Sequence, residues 1–170
     1  MSTNQSKTFQ FSIEKPSKES FSTVNQLIDD NFGYNFHKTK SLSTNNTIVL
    51  VALCANEIIA VGIGKMNSEL NEATMDLYLV DEQHRNKGVG TAIFEATLIA
   101  LIDLQPKTIQ LHHWIKENVP QPLIAIKRGF QLESIQKDYW KESSLFYNYH
   151  CDECGTPPCT CSCATYQLTL

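Results

Sequence analysis

The sequence predicts an α/β (α+β) fold: a mixed, mostly antiparallel twisted sheet of about seven strands with helices on both faces. Short β-branched runs recur along the chain, helical stretches interrupt them, and the length suits one domain. The 170 residues fall within the roughly 100–200 expected of a single domain, and a chain of that size buries a core without cross-links. With 42% apolar and 19% charged residues, neither general disorder nor a coiled coil fits.

Thr8 to Ile13 alternates apolar and polar residues and reads as the first strand. Pro16-Ser17 opens a helix with Phe21, Val24, Leu27, Ile28 and Phe32 at helical spacing, and Gly33 closes it. Residues 34–46 are polar, a loop with room for one short helix. Thr47 to Cys54 and Ile58 to Met66 are β-branched runs joined by Ala55-Asn56-Glu57, a hairpin. A turn over Asn67 to Asn71 leads to a fourth strand, Ala73 to Val80. From about Gly88 to Leu104 a helix is apolar on nearly every side except Glu95 and Asp103, so it is expected to be covered on most of its surface. Pro106 ends it. Thr108 to Trp114 is a fifth strand, Pro120 to Arg128 a short helix, Phe130 to Ile135 a sixth strand and Thr165 to Leu170 the last. The order of elements calls for a sheet covered on both faces.

Fourteen basic residues against eighteen acidic ones give a net charge of −4. Arg85 and Arg128 are the chain's arginines, too few to track a phosphate backbone, so no nucleic-acid partner is expected. A mildly acidic surface favours a cationic or amine substrate instead. The longest apolar run, Ile48 to Ala55, is about a third of a membrane span, so no membrane partner is expected. The polar start of the chain lacks an apolar signal stretch, which points to a cytoplasmic protein with reduced thiols.

The most informative segment runs Leu77-Tyr-Leu-Val-Asp-Glu-Gln-His-Arg85-Asn-Lys-Gly88-Val-Gly90-Thr-Ala92. A strand enters a loop, and a helix starts at once. Amides at a helix start have no intrahelical partner, and the helix dipole adds partial positive charge there. Gly88 and Gly90 remove the Cβ atoms that would hold a bulky anion away. Arg85 and Lys87 add formal charge, and the favoured ligand is a pyrophosphate. No Gly-Lys-Ser/Thr follows, which excludes a nucleotide P-loop. A dinucleotide fingerprint needs a third glycine and an acidic residue after a second strand, and both are missing.

Val80-Asp-Glu-Gln-His-Arg85-Asn-Lys-Gly88-Val-Gly90-Thr91 resembles the Gln/Arg-x-x-Gly-x-Gly/Ala motif of the GCN5-related N-acetyltransferase (GNAT) superfamily. Asn118, followed by Lys127 and Gly129-Phe130, resembles that family's second signature. The resemblance covers about residues 8–140 and the last strand, with the cysteine-rich C-terminal loop as an addition. It implies the acyl-CoA N-acyltransferase fold and transfer of an acetyl group from acetyl-CoA to a primary amine, on a small molecule, a protein N-terminus or a lysine. It also implies that Leu79 and Val80 pair with the pantetheine and that Arg85, Asn86, Lys87, Gly88, Val89, Gly90 and Thr91 receive the pyrophosphate. Asn118 and Lys127 join the cofactor site on the same ground.

Counted back from Asn118, the family's strand-five base falls on His113, and Asp76 and Glu72 compete for the role. Histidine ionises near neutrality and is suited to it. The family's tyrosine near the departing sulfur falls on Ala125, a departure that keeps open a non-catalytic acyl-CoA-binding or zinc-stabilised interaction module.

Five of the six cysteines lie from Cys151 to Cys163. In a reducing compartment such a cluster reads as metal ligation before disulfides. Cys151-x-x-Cys154-Gly has the form of a zinc knuckle, and Cys159, Cys161 and Cys163 supply further thiolates for a structural Zn²⁺. Cys151, Cys154, Cys159 and Cys161 are the preferred four, with Cys163 or His150 as replacement. The loop, residues 150–163, is expected to be inserted before the last strand of a single domain spanning 1–170.

Overall fold

A computed structural model describes residues 9–115 and 121–170. The strands are β1 (Ser12–Glu14), β2 (Thr47–Cys54), β3 (Glu57–Asn67), β4 (Glu72–Val80), β5 (Thr108–Ile115), β6 (Gln131–Gln136) and β7 (Ser162–Thr169). The α-helices are α1 (Phe21–Phe32), α2 (Val89–Ile102), α3 (Leu123–Lys127) and α4 (Lys141–Tyr147). The strands form one sheet in the order β1-β2-β3-β4-β5-β7-β6. Every neighbouring pair is antiparallel except β4 with β5.

Two sets of apolar side chains cover the sheet. On one face Val24, Leu27 and Ile28 of α1, with Phe36 of the following 3-10 turn, pack on Val49, Val51, Val61, Ile63, Leu77 and Leu79. On the other, Phe94, Leu98 and Leu101 of α2 and Ala125 of α3 meet Ala73, Met75, Ile109, Leu111, Ala164 and Tyr166. Helix α2 lies close on β3, because a Cβ on Gly62 would come within 2.1 Å of Thr97 Oγ1. The helix is less enclosed than its composition predicts: Ile99 and Ile102 face solvent, while Ile93, Phe94, Thr97 and Leu101 are buried. The sheet takes one side of α2, and among the described residues no further element covers Ile99 and Ile102 on the other.

Strand β4 changes faces partway along. Its partner positions step from Gly64 opposite Met75 to Ile63 opposite Leu77, leaving Asp76 as an extra residue in the ladder. Such a bulge re-aims the side chains beyond it. Ala73 and Met75 therefore join the α2 face, whereas Leu77 and Leu79 join the α1 face. Pairing of β4 with β5 runs only from Glu72 with Thr108 to Met75 with Leu111. Past the bulge the two parallel strands separate, and a cleft opens.

Three local features depart from expectation. Strand β7 starts at Ser162, so Cys163 lies in the sheet opposite Trp114 and Gln136. Helix α4, without a clear apolar period over seven residues, appears where the sequence carries little signal. The short helix begins at Leu123, later than expected, since Pro122 disfavours helical backbone at the residue before it.

Candidate active site

A cavity of about 320 Å³ fills the separation of β4 from β5 and is lined by Met75 to Tyr78, Leu111 to Trp114, and Asn31, Phe32, Phe36, Lys40 and Trp140. The free edge of β4 here offers the amide and carbonyl of Val80, which point away from β3. One of them is engaged: Arg85 Nε donates to the Val80 carbonyl at 3.2 Å, while Arg85 Nη2 donates to Asn31 Oδ1 at 2.9 Å. Arg85 thus ties the loop to α1.

The loop itself has the predicted form. Asn86 and Gly88 take left-handed conformations, with φ of 61° and 82°, and α2 begins at the next residue. The first bond from the helix back into the loop is Ala92 N–H to the Gly88 carbonyl, at 3.1 Å. A Cβ on Gly88 would meet nothing within 4 Å, and one on Gly90 only Val80 Cγ2 at 3.5 Å. The space over the helix start is open. Lys87 turns aside, donating to the Gln83 carbonyl at 2.9 Å and lying over the Phe9 ring. Lys127 is exposed at the end of α3. Asn118 lies outside the described residues.

A second cavity, of about 450 Å³, opens beside the first and shares Lys40, Asp76, His112 and Trp140 with it. Asp76 lies between Lys40 (3.1 Å) and Lys65 (2.8 Å). Burial pushes the Asp76 carboxyl upward, but the two ammonium groups outweigh it and hold the acid below the usual carboxylate range. It is an anchored anion and a weak proton acceptor. Glu72, paired with Asn67 and Thr108 where β4 begins, lines neither cavity.

The two histidines of β5 face opposite ways. Ile109 and Leu111 point to the α2 face, and by strand alternation His113 shares it, its ring 6.3 Å from that of Tyr166. His112 shares the opposite face with Trp114, which packs in the α1 cluster. Its ring lies 5.2 Å from that of Tyr139, and the Tyr139 hydroxyl is 3.3 Å from His112 Nδ1. Burial pushes the His112 pKa down and the Tyr139 pKa up, so both are neutral near pH 7. The histidine in the second cavity is therefore His112, one residue from the position counted back from Asn118. The alternation of Ile109 and Leu111 with polar neighbours is the sequence signal for it. Ala125, where the same count places the family's tyrosine, is fully buried in the α2 cluster and lines neither cavity.

The cysteine loop gathers four sulfurs. Cys151, Cys154, Cys159 and Cys161 place their Sγ atoms all within 4.8 Å of one another. Individual separations are 3.8 Å for Cys151–Cys161, 3.9 Å for Cys154–Cys159 and 3.5 Å for Cys154–Cys161. Four thiolates at about 2.3 Å from a tetrahedral ion would stand about 3.8 Å apart. Glu153 N–H donates to Cys151 Sγ and Thr160 N–H to Cys154 Sγ, both at 3.4 Å. Cys163, in β7, and His150, whose N–H is bonded to the Tyr34 carbonyl at 2.9 Å, are outside the group.

A seven-strand sheet parted at its one parallel pair, with a glycine-lined helix start beside the opening, defines the acyl-CoA N-acyltransferase fold. The chain belongs to the acetyltransferase (GNAT) family, whose profile matches residues 11–120. No curated protein matches it in sequence. Among solved structures it is similar to the ribosomal-protein-S18-alanine N-acetyltransferase from Escherichia coli, at 15% identity and a TM-score of 0.72, over 94% of each chain. Ard1 from Thermoplasma volcanium is 18% identical, with a TM-score of 0.66 over 94% of this chain and 97% of that one. A GNAT family acetyltransferase from Elizabethkingia anophelis with acetyl-CoA bound is 16% identical, with a TM-score of 0.62 over 94% and 98%. Identities this low speak for the fold alone. No helix among the described residues is long and apolar enough to cross a membrane.

Proposed function

We propose that residues 1–170 form one N-acetyltransferase domain that moves the acetyl group of acetyl-CoA to a primary amine by direct attack on the thioester. The observation that carries it is the parted β4–β5 pair, with the His112 cavities at the separation and the 85–91 loop following the free end of β4. The pyrophosphate would rest on the free amides at the start of α2, and the pantetheine along Leu79 and Val80, with Arg85 released from the Val80 carbonyl. Bound there, acetyl-CoA supplies an activated acyl group; the protein must supply a neutral amine.

His112 fits that task better than His113, Asp76 or Glu72. It borders both cavities, burial keeps it neutral, and in the tautomer that carries its proton on Nδ1, beside the Tyr139 oxygen, Nε2 would take the ammonium proton. Asp76, held by two lysines, serves instead to neutralise Lys40. Tyr139 stays protonated and positions the imidazole. The four gathered thiolates, in this reading, hold a structural Zn²⁺ that leaves no open coordination position for hydrolysis.

Incubation with acetyl-CoA and a mixed panel of small amines, peptides with free N-termini and lysine peptides tests the assignment by mass spectrometry. At least one amine gaining an acetyl group supports it. Acetyl-CoA binding with every amine left unmodified would favour the non-catalytic acyl-CoA-binding module.

A further inference from the structure

We infer that the four-cysteine zinc knot is the brace of the acceptor half of the site: with the metal bound it fixes the wall that carries Tyr139 and Trp140, and the coenzyme half does not depend on it. The inference rests on the zinc reading proposed above and adds a task for the ion.

The knot is tied into three segments that line the acceptor cavities. Cys159 N–H donates at 2.8 Å to Ser144 Oγ, which is fully buried in α4. Helix α4 and the residues before it supply Tyr139, Trp140, Glu142, Ser143 and Tyr147 to the second cavity. Trp114 lies beside the Cys161 thiol, its ring centroid 5.2 Å from that of Trp140 and 5.5 Å from that of Phe36. The irregular segment entering the knot bonds the turn after α1: His150 N–H donates to the Tyr34 carbonyl at 2.9 Å, and Asn35 Nδ2 to the Asn148 carbonyl at 3.2 Å. Contact there is close, for a Cβ on Gly33 would lie 1.9 Å from the His150 oxygen.

Little else can hold the loop. Between 151 and 161 the buried residues are Cys151 and Cys159, themselves ligands, and the rest are exposed or half-buried. A segment without an apolar face of its own is ordered by its metal bonds or not at all. Binding replaces four S–H protons by one divalent ion, and the backbone N–H groups aimed at Cys151 and Cys154 offset part of the resulting negative charge. The 85–91 loop is held by β4, by α2 and by the Arg85 bond to Asn31 of α1, elements packed in cores of their own, so the loss stops short of it.

The test uses the full chain, purified under reducing conditions. Elemental analysis is expected to find one zinc per chain in wild type and in Cys163→Ser, and none in Cys154→Ser. Co²⁺ alone, added to stripped protein, is expected to give the absorption of a tetrahedral thiolate site. Hydrogen exchange then reads the brace. On stripping, residues 34–40 and 139–150 should exchange faster by about tenfold or more, while residues 85–102 and acetyl-CoA affinity stay within about twofold, as they should in the control Cys54→Ser. Absent zinc and no Co²⁺ spectrum would overturn the metal itself. Metal present but exchange at 34–40 and 139–150 unmoved by its removal would overturn the brace and leave the metal standing. Failure of zinc-loaded wild type to bind acetyl-CoA would count against the transferase reading alone.

Discussion

His112 and His113 are adjacent in sequence, yet the pleat of β5 sends them to opposite faces of the sheet, and the proposed mechanism gives them different roles. His112→Ala should lower turnover of the acetylated amine by about 10²–10⁴-fold, as loss of a general base does, with acetyl-CoA affinity retained. His113→Ala should leave turnover within about tenfold of wild type, the lower end of that range being excluded. Steady-state kinetics on the two variants separates them, and equal losses would return the role to His113. Asp76 makes a different prediction. Asp76→Asn leaves the Lys40 ammonium, 6% exposed, without its counter-charge, and breaking a buried pair from one side costs about 3–5 kcal/mol. Urea unfolding measures it. Of this residue-level picture, the sequence showed which side chains could act but not which face each takes. The count from Asn118 fixes a position but not a face, which the alternation of Ile109 and Leu111 sets, and the bulge at Asp76 leaves no mark in the residue types around it.

At the level of elements, the glycines of the loop and of β3 have unlike tasks. Gly90 has an ordinary helical backbone and room for a side chain, so Gly90→Val should fold normally while its methyls fill the space over the free amides. Acetyl-CoA affinity should fall by at least about a hundredfold, the equivalent of about 2.7 kcal/mol; calorimetry checks it. Gly62→Val should do the reverse. Its side chain would strike Thr97 under α2, an overpacking that costs about 1–3 kcal/mol, visible as a lower urea midpoint. Strands β2 to β5 were legible because each is a run of β-branched residues between turn residues. The loop before α2 was legible because glycine spacing carries its geometry. Helix α4 was not, because seven residues carry too little periodicity, and β7 began early because pairing with β5 and β6, a long-range effect, extends it through Cys163. The composition of α2 overstated its burial, since apolar residues outnumber the contacts one sheet face can offer.

For the whole molecule, acid is the condition that strains both cavities together. Asp76 has a folded-state pKa below its unfolded value of about 3.9, so its contribution is complete above that value and is lost as pH falls through the folded one. His112, also depressed, is neutral when folded; below about pH 6.5 the unfolded chain takes up its proton first, and stability declines from there downward. Thermal unfolding should therefore be flat from about pH 7 to 8 and weaken progressively on acidification, and the acid limb of kcat/KM should lie below the ordinary histidine value. The proposed activity depends on acetyl-CoA occupying the opening between β4 and β5. Calorimetric titration of acetyl-CoA into the intact, zinc-loaded chain, in parallel with Gly90→Val, tests that most directly. One saturable site per chain, lost in the variant while its fold persists, is the predicted result. No binding to wild type, or equal binding to both proteins, would contradict it.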